Sequence, residues 1–203
     1  TIPAGTVLVR TPQELLWIAH ESESSEVVEP LAPGESLPKA SAALRRRLVD
    51  AVDSSRSDPF VDSMHPPDTL PLRLVAGSVL EDPSEDAQKP LKGTSLLNHT
   101  LSLRSKLLKA VKPDLELAKD MQAAWEASVW AQAVIMSRGF HVPKSSDRLL
   151  LIPIVDIANH APTYAMANAE FCDNKDGSMT MIASRDIPSD EEVCVCYGEH
   201  NNE

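Results

Sequence analysis

The sequence predicts an α+β fold in which short β-strands and hairpins surround a largely helical middle, and three observations predict it. Apolar runs bounded by turn residues recur near the carboxyl end, at Leu149 to Val155, Ser178 to Ser184 and Val193 to Tyr197. Helical periodicity instead fills the middle, over Lys39 to Val52, Leu97 to Val111 and Asp114 to Gly139. Strands and helices do not alternate regularly, and no Gly-x-Gly-x-x-Gly or Walker-type phosphate loop is present, so a doubly wound nucleotide-binding fold is not supported.

The run from Leu149 to Val155 is broken only by Pro153 and is followed by Asp156 and Asn159-His160, which reads as a buried strand ending in a polar loop. From Ser178 to Ser184 the chain alternates, with Met179 and Met181 on one side and Thr180 and Ile182 on the other. Ile187-Pro188-Ser189-Asp190 then forms a turn, and Val193 to Tyr197 is expected to complete a hairpin with the preceding strand. That hairpin delivers Tyr197 to a strand end just before the permissive Gly198, so polar groups collect where strands stop.

Between the early strand and the carboxyl half the sequence changes character. Glu21 to Pro38 is acidic and rich in Ser and Pro, the signature of a solvated loop. Lys39 to Val52 places Leu44, Leu48, Val49 and Val52 on one helical face and spreads Arg45-Arg46-Arg47 round a solvated one. Ser54 to Pro90 reads as proline-punctuated loop with a short helix near Leu70 to Leu80. Leu97, Leu101, Leu108 and Val111 mark a helix ended by Pro113; Asp114 then caps a longer one that Gly139 stops. Trp125 and Trp130 are expected in its core.

Asn-His occurs twice, at Asn98-His99 and Asn159-His160, so the dipeptide carries little by itself. The first pair lies among leucines in a helical pattern; the second follows a strand. With Pro153, Asp156, the acidic pair Glu191-Glu192, Tyr197-Gly198 and the upstream Ser137-Arg138-Gly139-Phe140, the segment from Trp130 to Asn202 resembles the carboxyl half of a SET-domain protein methyltransferase. The likeness is to the subgroup typified by the Rubisco large-subunit lysine methyltransferase. Ile2 to Val9 and Leu91-Lys92-Gly93-Thr94 also resemble family segments.

This resemblance implies a SET-type fold with a helical insertion, divided as an N-terminal strand region at 1–20, an insertion at 21–129 with an acidic loop at 21–38, and a SET core at 130–203. It implies S-adenosyl-L-methionine as cofactor, bound by Arg138, Asp156, Asn159 and His160, and Tyr197 as the catalytic residue. The activity implied is N-methylation of lysine in a non-histone protein. A protein-histidine methyltransferase and a catalytically inactive SET-like binding module remain as alternatives. The second is motivated by two family segments the sequence lacks, a Gly-rich turn upstream and a closing aromatic segment downstream, so a truncated member is expected. Asp190 stands where the family has glycine, a replacement the left-handed backbone region tolerates better in Asp than in most residues.

The chain has 203 residues, 42% of them hydrophobic, which is enough to bury a real core. A formal charge of -11 argues against non-specific nucleic-acid binding and suits steering of a basic, lysine-bearing or histidine-bearing protein or peptide. No apolar run reaches the roughly 18 residues a membrane span needs. Cys194 and Cys196 face one side of a strand, but no second pair completes a four-ligand zinc set, so no metal is expected. Free thiols point to a reducing, intracellular compartment, whether cytoplasm, nucleus or plastid. Oligomeric state is left open.

Overall fold

The computed structural model describes residues 1–23, 38–53, 58–64, 83–141 and 147–197. The expected loop over 24–37, the helix near 70–80 and Gly198 lie outside the described residues. Two compact units are defined, one comprising 1–18, 138–146 and 150–203 and the other 19–137 and 147–149. The architecture is α+β.

The first unit is built on a five-stranded sheet in the order β1-β7-β6-β8-β5. Its strands are β1 (Val7–Thr11), β5 (Asn159–His160), β6 (Ala169–Asp173), β7 (Met179–Ala183) and β8 (Cys194–Val195). β7 pairs antiparallel with β1 and β6, whereas β8 pairs parallel with β6 and β5. A second sheet orders β2 (Trp17–His20), β4 (Arg148–Leu151) and β3 (Phe140–His141) as β2-β4-β3.

The expected hairpin between β7 and Val193 to Tyr197 does not form. β7 instead turns back on β6 through Asn174 to Ser178, where the Asn174 N–H donates to the Ser178 oxygen at 3.0 Å and Gly177 takes φ +79°. Downstream of β7, Ile187 bridges antiparallel to Ile2, which carries the chain away from its predecessor before it returns as β8. The strand at the carboxyl end is also shorter than expected.

Leu16, Leu150, Ile152, Val155, Ala169, Met179, Met181 and Val195 make the core of this unit. Leu150 and Ile152 are completely buried, and each contributes roughly 2 kcal/mol through loss of apolar contact with water. Thr180, on the opposite side of β7 from the methionines, is also buried, and its hydroxyl accepts from the Asn174 amide at 2.5 Å.

The second unit is helical: α1 (Pro38–Asp53), α2 (Pro59–Ser63), α3 (Glu85–Gln88), α4 (Ser95–Leu117) and most of α5 (Met121–Arg138). Caps explain the two short helices in a stretch expected to be loop: Asp58 accepts from the Phe60 and Val61 N–H groups, and Ser84 from Ala87 N–H. α4 runs through Pro113 instead of ending there. Its buried stripe is Thr100, Leu103, Leu107, Val111 and Leu115, which packs with Trp125 and Val129 of α5. Burial of Val111 and Leu115 on either side offsets the hydrogen bond that proline cannot donate. Asp120, not Asp114, caps α5, with Oδ1 accepting from the Gln122 and Ala123 N–H groups.

Leu44 and Leu48 are buried on α1 as expected, but Val52 is exposed and Arg45 is not on a solvated face. Arg45 is 3% exposed and donates through Nη1 to Gln132 Oε1 at 3.0 Å, leaving Arg46 and Arg47 outside. Trp125 and Trp130 are buried.

Candidate functional site

The site grows from the carboxyl end of β4. After Leu151 and Ile152 the chain turns at Pro153-Ile154, where the Asp156 N–H donates to the Ile152 oxygen at 3.0 Å, into a 3-10 turn, Val155–Ile157, closed by the Ala158 N–H donating to the Val155 oxygen at 3.1 Å. Ile154 takes φ 72°, making it the one non-glycine residue with positive φ among the described residues; the Asp190 expected there has no such strain. A β-branched side chain in that region is costly, and here the side chain is also 64% exposed. Asp156 follows two residues later and is buried.

Arg138, the last residue of α5, meets it. Arg138 Nη1 donates to Asp156 Oδ2 at 2.8 Å, with the carboxylate side chain 2% exposed and the guanidinium 23% exposed. Burial pushes the Asp156 carboxyl above the usual carboxylate range, outweighing the opposing pull of the Arg138 hydrogen bond and charge.

Two residues further on, Asn159 and His160 form β5, which ends the five-stranded sheet and pairs in parallel with Cys194 and Val195 of β8. The Asn159 amide donates to Glu192 Oε1 at 2.5 Å. His160 Nδ1 accepts from the Tyr197 N–H at 3.1 Å, which places the proton of the neutral imidazole on Nε2. Tyr197 stands two residues past β8. Its ring stacks on His160 with centroids 5.0 Å apart, and Phe140 approaches it edge-on at 6.3 Å.

The Tyr197 hydroxyl donates to the Ala158 main-chain oxygen. Burial raises the phenol's pKa, which the Arg138 charge opposes and the Asp156 charge reinforces, so Tyr197 lies within the field of that ion pair. All five residues expected at the site therefore belong to one unit, as an ion pair at 138 and 156 and a stacked group at 159, 160 and 197, joined through Ala158. The Asn98-His99 pair lies on α4 of the other unit.

Sequence reasoning missed Asn168. It is 1% exposed; its Nδ2 donates to Glu191 Oε1 at 3.0 Å and to the Glu192 oxygen at 2.8 Å, and its Oδ1 accepts from Cys194 N–H at 2.8 Å. Asparagine is mostly an exposed residue, and nothing local in Ala167-Asn168-Ala169 marks this one as buried.

The SET domain family model matches residues 1–198, and the chain belongs to the SET-domain family. Among solved structures, the SET domain of LSMT bound to lysine and AdoHcy is similar, with a TM-score of 0.60 and 17% identity. The match covers 97% of this chain and 45% of that one, so the chain spans less than half of that structure's length. A search of curated proteins returns no match.

Proposed function

We propose that this chain is an S-adenosylmethionine-dependent protein methyltransferase acting on lysine in a non-histone protein. The observation that carries the reading is the Tyr197 hydroxyl, held as a donor to the Ala158 carbonyl beside the Arg138–Asp156 pair. When bound, S-adenosylmethionine supplies an electrophilic methyl group on a sulfonium.

The residues present fit such a donor. Arg138 spends one of its five N–H donors on Asp156, leaving a planar fork suited to a carboxylate. β5, which carries Asn159 and His160, is the end strand of the five-stranded sheet among the described residues. The Asn159 side chain, engaged with Glu192, holds that strand to β8.

A free lysine amine titrates near 10.4 and is a nucleophile only once it loses its proton. Desolvation lowers that value, and transfer is helped when the lone pair is held in line with the bond being broken. With its proton committed to Ala158, the Tyr197 oxygen presents lone pairs that accept from an amine N–H or a polarised C–H. A tyrosine is protonated at neutral pH and burial pushes this phenol further up, so Tyr197 orients the amine and does not act as its base.

A charge of -11 favours approach of a basic peptide, and exposed Ile154, Ile157, Tyr164 and Met166 give the same unit apolar surface for a polypeptide. We extend the proposal to residues 21–129 as an insertion in the SET core and, from the three free thiols, to a reducing intracellular location. Calorimetric titration with S-adenosylmethionine, followed by labelled methyl transfer to lysine-bearing proteins, tests the reading. Micromolar binding with transfer is expected; absence of binding sinks it.

A further inference from the structure

We propose that Asn168 is the positioning residue that sets Tyr197 against His160, an inference that rests on the methyl-transfer reading above. The strand that leads to Tyr197 is only two residues long, pairing with β6 at Ala169 and Val195 alone and with β5 through Cys194 and Val195. So short a ladder fixes a strand end poorly. Asn168 supplies what the ladder lacks.

Its side chain binds both sides of the entry to β8, accepting from Cys194 N–H at 2.8 Å while donating to the Glu192 oxygen at 2.8 Å. Its own N–H donates to the Cys194 oxygen at 3.1 Å, and its carbonyl accepts from Ser184 N–H at 2.9 Å. The amide also reaches Glu191 Oε1 at 3.0 Å, a carboxylate gripped by both terminal nitrogens of Arg185. On the opposite side, Glu192 Oε1 receives the Asn159 amide. Residues 191 and 192 are thus tied to Asn168 and to β5 together, and Tyr197 follows five residues after Glu192.

A residue that merely stabilises the sheet would, when lost, lower the melting temperature and leave the folded molecules working normally. A positioning residue moves the phenol. In ¹³C-tyrosine-labelled protein, with Tyr164→Phe removing the other tyrosine, the Tyr197 ring signal reports stacking on His160 without any need for turnover. Asn168→Ala is expected to shift that signal toward free tyrosine and to lower kcat at least about tenfold, while the dissociation constant for S-adenosylmethionine changes less than about twofold.

Asn168→Asp keeps the acceptor for Cys194 but turns the donor toward Glu191 into a second anion, and it decides the matter should the alanine variant not fold. Its effect is expected in the same direction. Unchanged kcat and an unchanged ring signal in the folded variants overturn the proposal, even with a lowered melting temperature. If the parent protein shows no methyl transfer, the function reading fails separately, and the ring signal alone still judges the role of Asn168.

Discussion

The hydroxyl of Tyr197 donates to the main-chain oxygen of Ala158, two residues beyond Asp156 and one before Asn159. That bond makes the tyrosine an oriented acceptor toward anything that enters beside it. Removing the oxygen while keeping the ring isolates this role, because stacking on His160 and the edge contact with Phe140 involve the ring alone.

Tyr197→Phe is therefore expected to bind S-adenosylmethionine as the parent does and to lose at least about 100-fold in kcat, the scale of a misplaced reacting group. The lost hydrogen bond should lower stability by about 1 kcal/mol. Single-turnover kinetics beside calorimetry separates the two quantities. Equal turnover in parent and variant contradicts the assignment.

Arg138 binds Asp156 and, in the function proposed above, also receives a ligand carboxylate, and substitutions at this position divide the two. Arg138→Ala strands a carboxylate that is 2% exposed, so a loss of about 2 kcal/mol in unfolding free energy is expected together with weakened cofactor binding. Arg138→Lys keeps the charge near Asp156 but removes the planar fork. Denaturant melts should show the lysine variant closer to the parent than the alanine variant, while titration shows both binding weakly. Parent-like affinity in Arg138→Lys argues against a bidentate contact.

The Asp156 ion pair invites the expectation that it stabilises the fold, and the burial of the carboxyl reverses that. Its folded pKa is raised, so the native state binds the proton more readily than the unfolded chain does. Stability from this group is present at pH below the unfolded value of about 3.9 and is lost as pH rises through the folded value. Relative to Asp156→Asn, which accepts from Arg138 without carrying charge, the parent should gain unfolding free energy as pH falls from 7 toward 4. Urea melts of both proteins across that interval measure it; a parent that loses ground on acidification has the opposite sign and refutes the argument.

The legible parts of the molecule were those set by local pattern. The apolar run from Leu149 to Val155 and the polar residues after it announce a strand end, and the alternation of Met179 and Met181 announces β7. Pairing was not legible, because the partner of β7 depends on Asn174 to Gly177 closing a tight turn upstream and on Ile187 being drawn to Ile2, 185 residues away in sequence. Arg45 read as surface because its polar partner, Gln132, lies on another helix. Pro113 read as a helix stop because proline forfeits one bond, a cost that the packing of Val111 and Leu115 with Trp125 and Val129 outweighs. At the site, the placement of Asp156 and Tyr197 just past strand ends was legible, but the clamp at Asn168 is a long-range property of three segments meeting.

The turn that chooses the partner of β7 has its own test. Gly177 sits at φ +79°, and a Cβ built there would lie 2.5 Å from Gln13 Oε1 and 2.7 Å from Gln13 Cδ. Two costs are thus mixed in Gly177→Ala: a backbone conformation that L-residues resist by about 1 kcal/mol, and a clash with the end of a flexible side chain that can swing away. Making the substitution in a Gln13→Ala background removes the second. The loss in unfolding free energy should remain about 1 kcal/mol there, and Gly177→Asn should lose less, because asparagine tolerates the left-handed region. If the loss vanishes once Gln13 is shortened, crowding by that side chain, and not the backbone angle, is what requires glycine in this turn.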